Sequence, residues 1–375
     1  MDLSKMIPEI FSKLEQKWLD HHCHVKKTRI LTIDGGETTG SVSGSSLIYL
    51  EDQIQSITSD PNIRIIDFFD IIAGTGIGGL YATLLAADDG TGRPLFTAKE
   101  AVNFVKEKQS DLYRVKTSNP FRRRRRFSGK SMTKLLAGVL TTKNGELMTL
   151  KNTCKPILIP CFDLNSSAPF VFSRADASQS RSYDFHLWKV IRATLAAPSL
   201  FNPFPLTSVD GKTSCLAVDG GIVMNNPTSA AVTHVLHNKC DFPSVNGFDD
   251  LLVLSLGNGS SIRNNHVNHS RRCLTSAIVN IAVDGVSETV DQMIANSFCF
   301  NRPDYVRIQA YEEKRIHGDV LTEKGVETLP FGGKKLLTET NGERIGTFVQ
   351  RLTDSLPPSP CKEKAVTVNA VINCR

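Results

Sequence analysis

Nowhere in the 375 residues does an apolar run approach the ~20 residues of a membrane-spanning helix, which excludes a helical span. The nine cysteines form no Cys-x-x-Cys pair, and no second cluster answers His21, His22, Cys23 and His24. A zinc centre and a disulfide framework are both unsupported, so no metal or cofactor is expected. Met1 to Asp20 contain no uninterrupted apolar core of the secretory kind. The expectation is a cytoplasmic, non-secreted chain with free thiols. The Asn-x-Ser triplets at Asn165, Asn258 and Asn268 then read as chance matches.

What is present is an ordinary globular composition, 40% apolar and 22% charged. The 44 basic residues exceed the 38 acidic ones by a net +6. Arg122, Arg123, Arg124, Arg125 and Arg126 stand together between Phe121 and Phe127, which points to a local anionic partner rather than a nucleic acid. Three readings stay open for this run: a solvated loop, a dock for anionic lipid head groups, and a nuclear-localisation-like patch.

Leu3, Ile7, Ile10, Leu14 and Trp18 recur at helical spacing, so residues 1–27 read as an amphipathic helix. The proline-rich, charged residues 352–375 read as a disordered tail, leaving one domain over 28–351. Within it, Thr28 to Ile33, Ile65 to Ile72, Ile157 to Phe162, Phe170 to Ser173, Leu216 to Asp219 and Leu251 to Leu256 read as buried strands. Leu80 to Ala87, Leu187 to Ala197 and Thr228 to Leu236 read as helices. The fold class is therefore α/β, with a central, mostly parallel sheet covered on both faces.

The most informative stretch runs from Phe69 to Gly79. Gly74, Gly76 and Gly79 spell the G-x-G-x-x-G of a dinucleotide turn, but no acid ending a second strand follows about 20 residues on. The competing reading is a nucleophile elbow, a strained strand-to-helix turn flanked by Gly74 and Gly78. Gly76 takes its central position without steric cost and brings no nucleophile. Two other strands end in glycine turns. Asp34-Gly35-Gly36 offers backbone N–H groups for an oxyanion hole, and Asp219-Gly220-Gly221 offers a general base.

Taken together, Asp-Gly-Gly at 34, Gly-Thr-x-x-Gly-Gly at 74, Arg-Ala-Thr-x-Ala-Ala-Pro at 192, Asp-Gly-Gly-x-x-x-Asn-Asn-Pro at 219 and Leu-Ser-Leu-Gly-x-Gly at 254 resemble the patatin family. The glycine elbow is similar to that of the plant patatin-related phospholipase A group III. The resemblance implies a three-layer α/β/α fold and a Ser–Asp dyad without histidine. Asp219 takes the place of the general base, while the serine position falls on Gly76. Gly35, Gly36 and the N–H of Ile77 take the place of the oxyanion hole, with Gly74, Thr75 and Gly78 framing the elbow. Two further departures are Glu37 where the family carries glycine and Thr39 where it carries arginine.

Loss of a serine nucleophile costs on the order of 10⁶ in kcat. The expectation is a lipid acyl hydrolase scaffold of the phospholipase A or galactolipase class with weak or absent turnover. Its partners would be phospholipid or galactolipid acyl chains and, peripherally, an anionic membrane such as the plasma membrane. The alternative is a pseudoenzyme that binds lipid or a partner. Residual hydrolysis would need Asp219 to activate a water, or a hydroxyl of Thr75, Ser41 or Ser43 to substitute.

Overall fold

Thr28–Ile33 (β1) is a strand wanted by two cores at once: Leu31 and Ile33 are buried on one side of the sheet and Ile30 on the other. The computed structural model describes residues 12–13, 27–36, 40–88, 90–113, 129–259, 274–310, 320–329 and 333–354. Ser41–Thr58 (α1) follows β1, and Ile71–Gly74 (β2) leads directly into Ile77–Ala86 (α2) and then Ala98–Glu107 (α3). Ile157–Asp163 (β3) and Ala168–Ser173 (β4) form a hairpin, and Leu187–Thr194 (α4) crosses to Phe204–Thr207 (β5) and Ser214–Asp219 (β6). Thr228–His237 (α5), Leu251–Leu256 (β7), Leu274–Ser297 (α6), Tyr305–Ile308 (β8) and Asn341–Asp354 (α7) complete the layers.

The eight strands form one sheet in the order β5-β6-β3-β2-β1-β7-β8, with β4 on the remaining edge of β3. Pairing is parallel from β3 through β2, β1 and β7 to β8, and antiparallel among β3, β4, β5 and β6. Helices α1, α2, α3 and α7 bury Leu47, Leu80, Val105 and Phe348 against one face. On the other face, α5 and α6 bury Val232 and Ile294. This is the expected three-layer α/β/α arrangement, with the antiparallel share larger than the apolar runs suggest.

Two segments differ from the sequence reading. Ile65 to Ile72 is not one strand: Ile65–Phe68 is a turn of helix, and β2 begins only at Ile71. Polar partners outweigh the apolar pattern there, because Asp67 accepts the Arg64 N–H at 2.9 Å and Glu51 accepts that of Ile65 at 3.3 Å. Asp70 pairs with the buried Arg29 at 3.2 Å and stands just before β2. The domain boundary placed at 351 falls inside α7, which runs to Asp354 with Leu352 fully buried. Of the N-terminal helix, Ser12 and Lys13 are described and helical, and the rest lies outside the described residues.

Candidate active site

Strand β3 has two edges, and β4 occupies one of them from Leu158 to Asp163. The other is shared: β2 pairs with Ile157 and Leu158, and β6 pairs in the opposite sense with Cys161 to Asp163. Strands β2 and β6 therefore point at each other along one edge, and their ends, Gly74 and Asp219, meet at the gap. This head-on arrangement brings the elbow to the carboxylate.

Gly76 sits in the gap at φ 54° and ψ −121°, a backbone state that costs a residue with a Cβ on the order of 1–3 kcal/mol. A Cβ placed on Gly76 would lie 3.5 Å from Asp219 Oδ1, 3.8 Å from its Oδ2 and 3.6 Å from the Gly35 Cα. The space is thus open to a side chain. Its neighbours are closed: a Cβ on Gly78 would come within 2.2 Å of the Ile33 carbonyl oxygen, and one on Gly74 within 2.2 Å of that of Gly78. The flanking glycines are required by the tight turn, whereas the central one is required only by its dihedral angles.

The Arg-Ala-Thr-x-Ala-Ala-Pro motif holds both halves of the pair. Thr194 Oγ1 accepts the Gly76 N–H at 2.8 Å and donates to the Pro160 carbonyl at 2.7 Å, clamping the elbow to β3. The Ala196 carbonyl accepts the Asp219 N–H at 3.0 Å. The Asn-Asn-Pro motif serves the loop behind. Asn226 Oδ1 accepts the Thr228 N–H at 3.0 Å and so starts α5, while the Asn225 carbonyl accepts the Gly35 N–H at 2.9 Å.

That last bond bears on the N–H groups expected to form an oxyanion hole. The Gly35 donor is already committed, whereas the N–H groups of Gly36 and Ile77 meet no acceptor among the described residues. Ile77 opens the ten-residue helix α2, whose dipole adds to the attraction for an anion. Thr75 turns away from the gap, its hydroxyl donating to the Met224 carbonyl at 2.7 Å, and Ser43 is buried against Gly40 and Asn258. Neither hydroxyl is aimed at Asp219. Glu37, Thr39 and the arginine run 122–126 lie outside the described residues.

Asp34 is held far more firmly than a loop residue needs to be. Arg307 of β8 grips both of its oxygens, at 2.5 and 2.8 Å, and also donates to Ser255 Oγ at 2.9 Å. Ser255 in turn meets Thr228, and Thr228 meets Thr32, so a buried polar chain ties the glycine loop to β1, β7, β8 and α5. No local pattern announced Arg307, which lies 273 residues away. Thr194 could have been found, since it sits inside a motif already singled out.

Asp219 accepts one backbone bond, from Gly221 at 2.8 Å on Oδ1, and both of its oxygens border the gap. Burial pushes its pKa up to about 6, against the opposing pull of that N–H. Tyr113 stands close by: burial first, then the charge of Asp219, holds its phenol above the usual range.

A carboxyl with a higher pKa folded than unfolded binds its proton more tightly in the native state. Between about pH 4 and 6 stability therefore falls as pH rises, and the loss persists above that window. Asp219→Asn is expected to gain on the order of 3 kcal/mol near neutral pH and nothing below about pH 4. Urea denaturation at the two pH values checks this, and an equal gain at both would contradict it.

The dinucleotide alternative has no support in this geometry. Among the described residues, the chain passes from α2 through α3 and further helices before reaching β3 at Ile157, so no strand follows at the required distance. The fold and site together bring a buried carboxylate, a tight glycine turn and two N–H groups that meet no acceptor among the described residues to one gap in an α/β sheet.

Residues 31–232 match the family described as Patatin-like phospholipase. "Probable inactive patatin-like protein 9" of Arabidopsis thaliana is 61% identical over 98% of this chain and 98% of its own length. "Patatin-like protein 6" of the same plant is 41% identical over 85% of this chain and 70% of its own. "Patatin-like protein 3" of Oryza sativa subsp. indica is 36% identical, covering 92% and 89%. The chain belongs to the patatin-like phospholipase family. Among solved structures, VipD from Legionella pneumophila overlaps 88% of this chain and 67% of its own with a TM-score of 0.39 and 13% identity, too remote a likeness to add to that.

Proposed function

We propose that the protein binds acyl lipid, phospholipid or galactolipid, in a patatin-type site from which serine-dependent acyl transfer has been removed. The observation that carries this is the gap at Gly76: a side-chain position 3.5 Å from Asp219 Oδ1 beside two N–H groups, with neither an acceptor for them nor a hydroxyl in the gap among the described residues. Such a pair of donors suits the carbonyl oxygen of an ester. Purified protein assayed on fluorogenic phospholipid and galactolipid is expected to bind both with turnover near background. Turnover at the level of a serine lipase would refute the reading.

A weak water-driven route is favoured by one feature, the elevated pKa of Asp219 next to open space. Above pH about 6 its carboxylate can take a proton from a water lodged where a serine would stand. Any residual hydrolysis is then expected to rise with pH through about 6 and to vanish in Asp219→Asn. A flat pH profile would assign the residual rate to something else.

The arginine run supports a peripheral partner of anionic lipid, since guanidinium groups pair bidentately with phosphate. Arg123, Arg124 and Arg125 replaced by alanine are expected to weaken retention on anionic vesicles and to leave retention on neutral ones unchanged. Unaltered anionic binding would make the run an ordinary solvated loop.

A further inference from the structure

We propose that the first turns of α6 are a docking face for the surface of an anionic lipid bilayer, projecting past the sheet edge that carries Gly76 and Asp219. This deepens, and rests on, the reading of the chain as a lipid-binding protein.

The position of the helix follows from its ends. It carries the chain from β7 back to β8, so it starts at the edge where the parallel strands finish. Midway along it, Ser287 Oγ accepts from Asn225 Nδ2 at 2.8 Å, which marks the level of the site. Just past its end, Phe298 packs on Phe248 and Tyr305, with ring centroids at 5.4 and 5.8 Å, at the opposite edge. At 1.5 Å per residue, Ile281 and Ile278 stand about 9 and 14 Å beyond Ser287. They overhang the site.

The overhanging residues are apolar and left exposed by the described residues. Ile278, Val279 and Ile281 are 56%, 46% and 57% exposed. Ala282, Gly285, Thr289 and Met293 continue the exposed stripe, and no described exposed position of α6 carries a charge. Of its three acids, Asp291 is buried, Glu288 pairs with Lys334 at 3.0 Å and Asp284 is half-buried. A long helix with no charge at its described exposed positions, offering isoleucine and valine to solvent, suits an apolar medium at that end.

The chemistry of the medium comes from charge. Sequence stretches 114–128 and 260–273 hold ten lysines and arginines and no acid, more than the net +6 of the whole chain. Their described ends lie at this same edge: Tyr113 within the field of Asp219, Gly129 against the Arg192 guanidinium, and Gly259 just after β7. The charge of these stretches is complementary to anionic head groups, as the apolar tip is to the acyl layer beneath them.

The test is co-sedimentation of the full chain with vesicles of phosphatidylcholine alone or mixed with phosphatidylglycerol. Retention on the mixed vesicles is expected, and Ile278→Asp with Ile281→Asp should lower it at least about tenfold. Phe300→Asp, at the far edge and 95% exposed, should leave it unchanged. All variants should keep the parent's circular dichroism and Tm. Equal retention by parent and double variant, equal loss with Phe300→Asp, or no preference for the anionic lipid would overturn the proposal. So would concentration-dependent dimerisation abolished by the double variant, which would make the face a contact between copies. Vesicle binding that appears only after removal of residues 1–26 would overturn it too, assigning the face to the chain's own N-terminal segment. The lipid-binding reading has a separate check, because binding of a soluble short-chain phospholipid in the Gly76 gap needs no bilayer.

Discussion

Replacing Gly76 with serine is expected to turn the protein into a measurable ester hydrolase, at least about 10³-fold above the parent on a soluble short-chain ester. The added Cβ meets nothing closer than 3.5 Å, and from there the hydroxyl falls within hydrogen-bond reach of Asp219. The uncommitted N–H groups of Gly36 and Ile77 remain to receive the developing oxyanion. The gain falls short of the ~10⁶ that a nucleophile is worth, because Glu37 and Thr39 depart from the family pattern. A stability loss accompanies it, since φ 54° costs a residue with a Cβ on the order of 1–3 kcal/mol. Gly76→Ala should lower Tm as much while gaining no activity. Asp219→Asn placed on top of Gly76→Ser should return the rate to the parent's. A serine variant as inert as the alanine variant would show that more than the nucleophile has been lost.

The second large effect is structural. Arg307→Met is expected to destabilise the fold by about 3–5 kcal/mol, because it leaves the Asp34 carboxylate buried without its partner. Against a total stability of ~5–15 kcal/mol, that is a substantial fraction. Adding Asp34→Asn should recover much of the loss, since the uncompensated charge is then gone. Urea denaturation of the single and double variants measures the coupling. Additive losses would mean that the pair does not act as a unit, and that the glycine loop is held by other contacts.

The parts of this protein legible in its sequence are those encoded locally. Apolar runs marked β1, β3, β6 and β7, and glycine spacing marked the elbow, because both are decided within a few residues. Ile65 to Phe68 misled for the opposite reason. Its apolar residues serve a helical turn fixed by Glu51 and Asp67, and a carboxylate 14 residues away leaves no trace in the local pattern. The site shows the same division. Gly76 and Asp219 were visible as motif positions, yet the geometry that joins them depends on β6 running against β2 along the free edge of β3. Strand direction of that kind is a property of the whole sheet. The commitment of the Gly35 N–H to Asn225 and the grip of Arg307 on Asp34 are likewise choices between distant segments.

The most direct measurement is active-site labelling of Gly76→Ser with a fluorophosphonate, followed by peptide mass spectrometry. Covalent modification of the serine at position 76, lost when Asp219→Asn is added, is the expected result. A folded variant that remains unlabelled would contradict the placement of residue 76 opposite the carboxylate, and with it the account of a site complete except for its nucleophile.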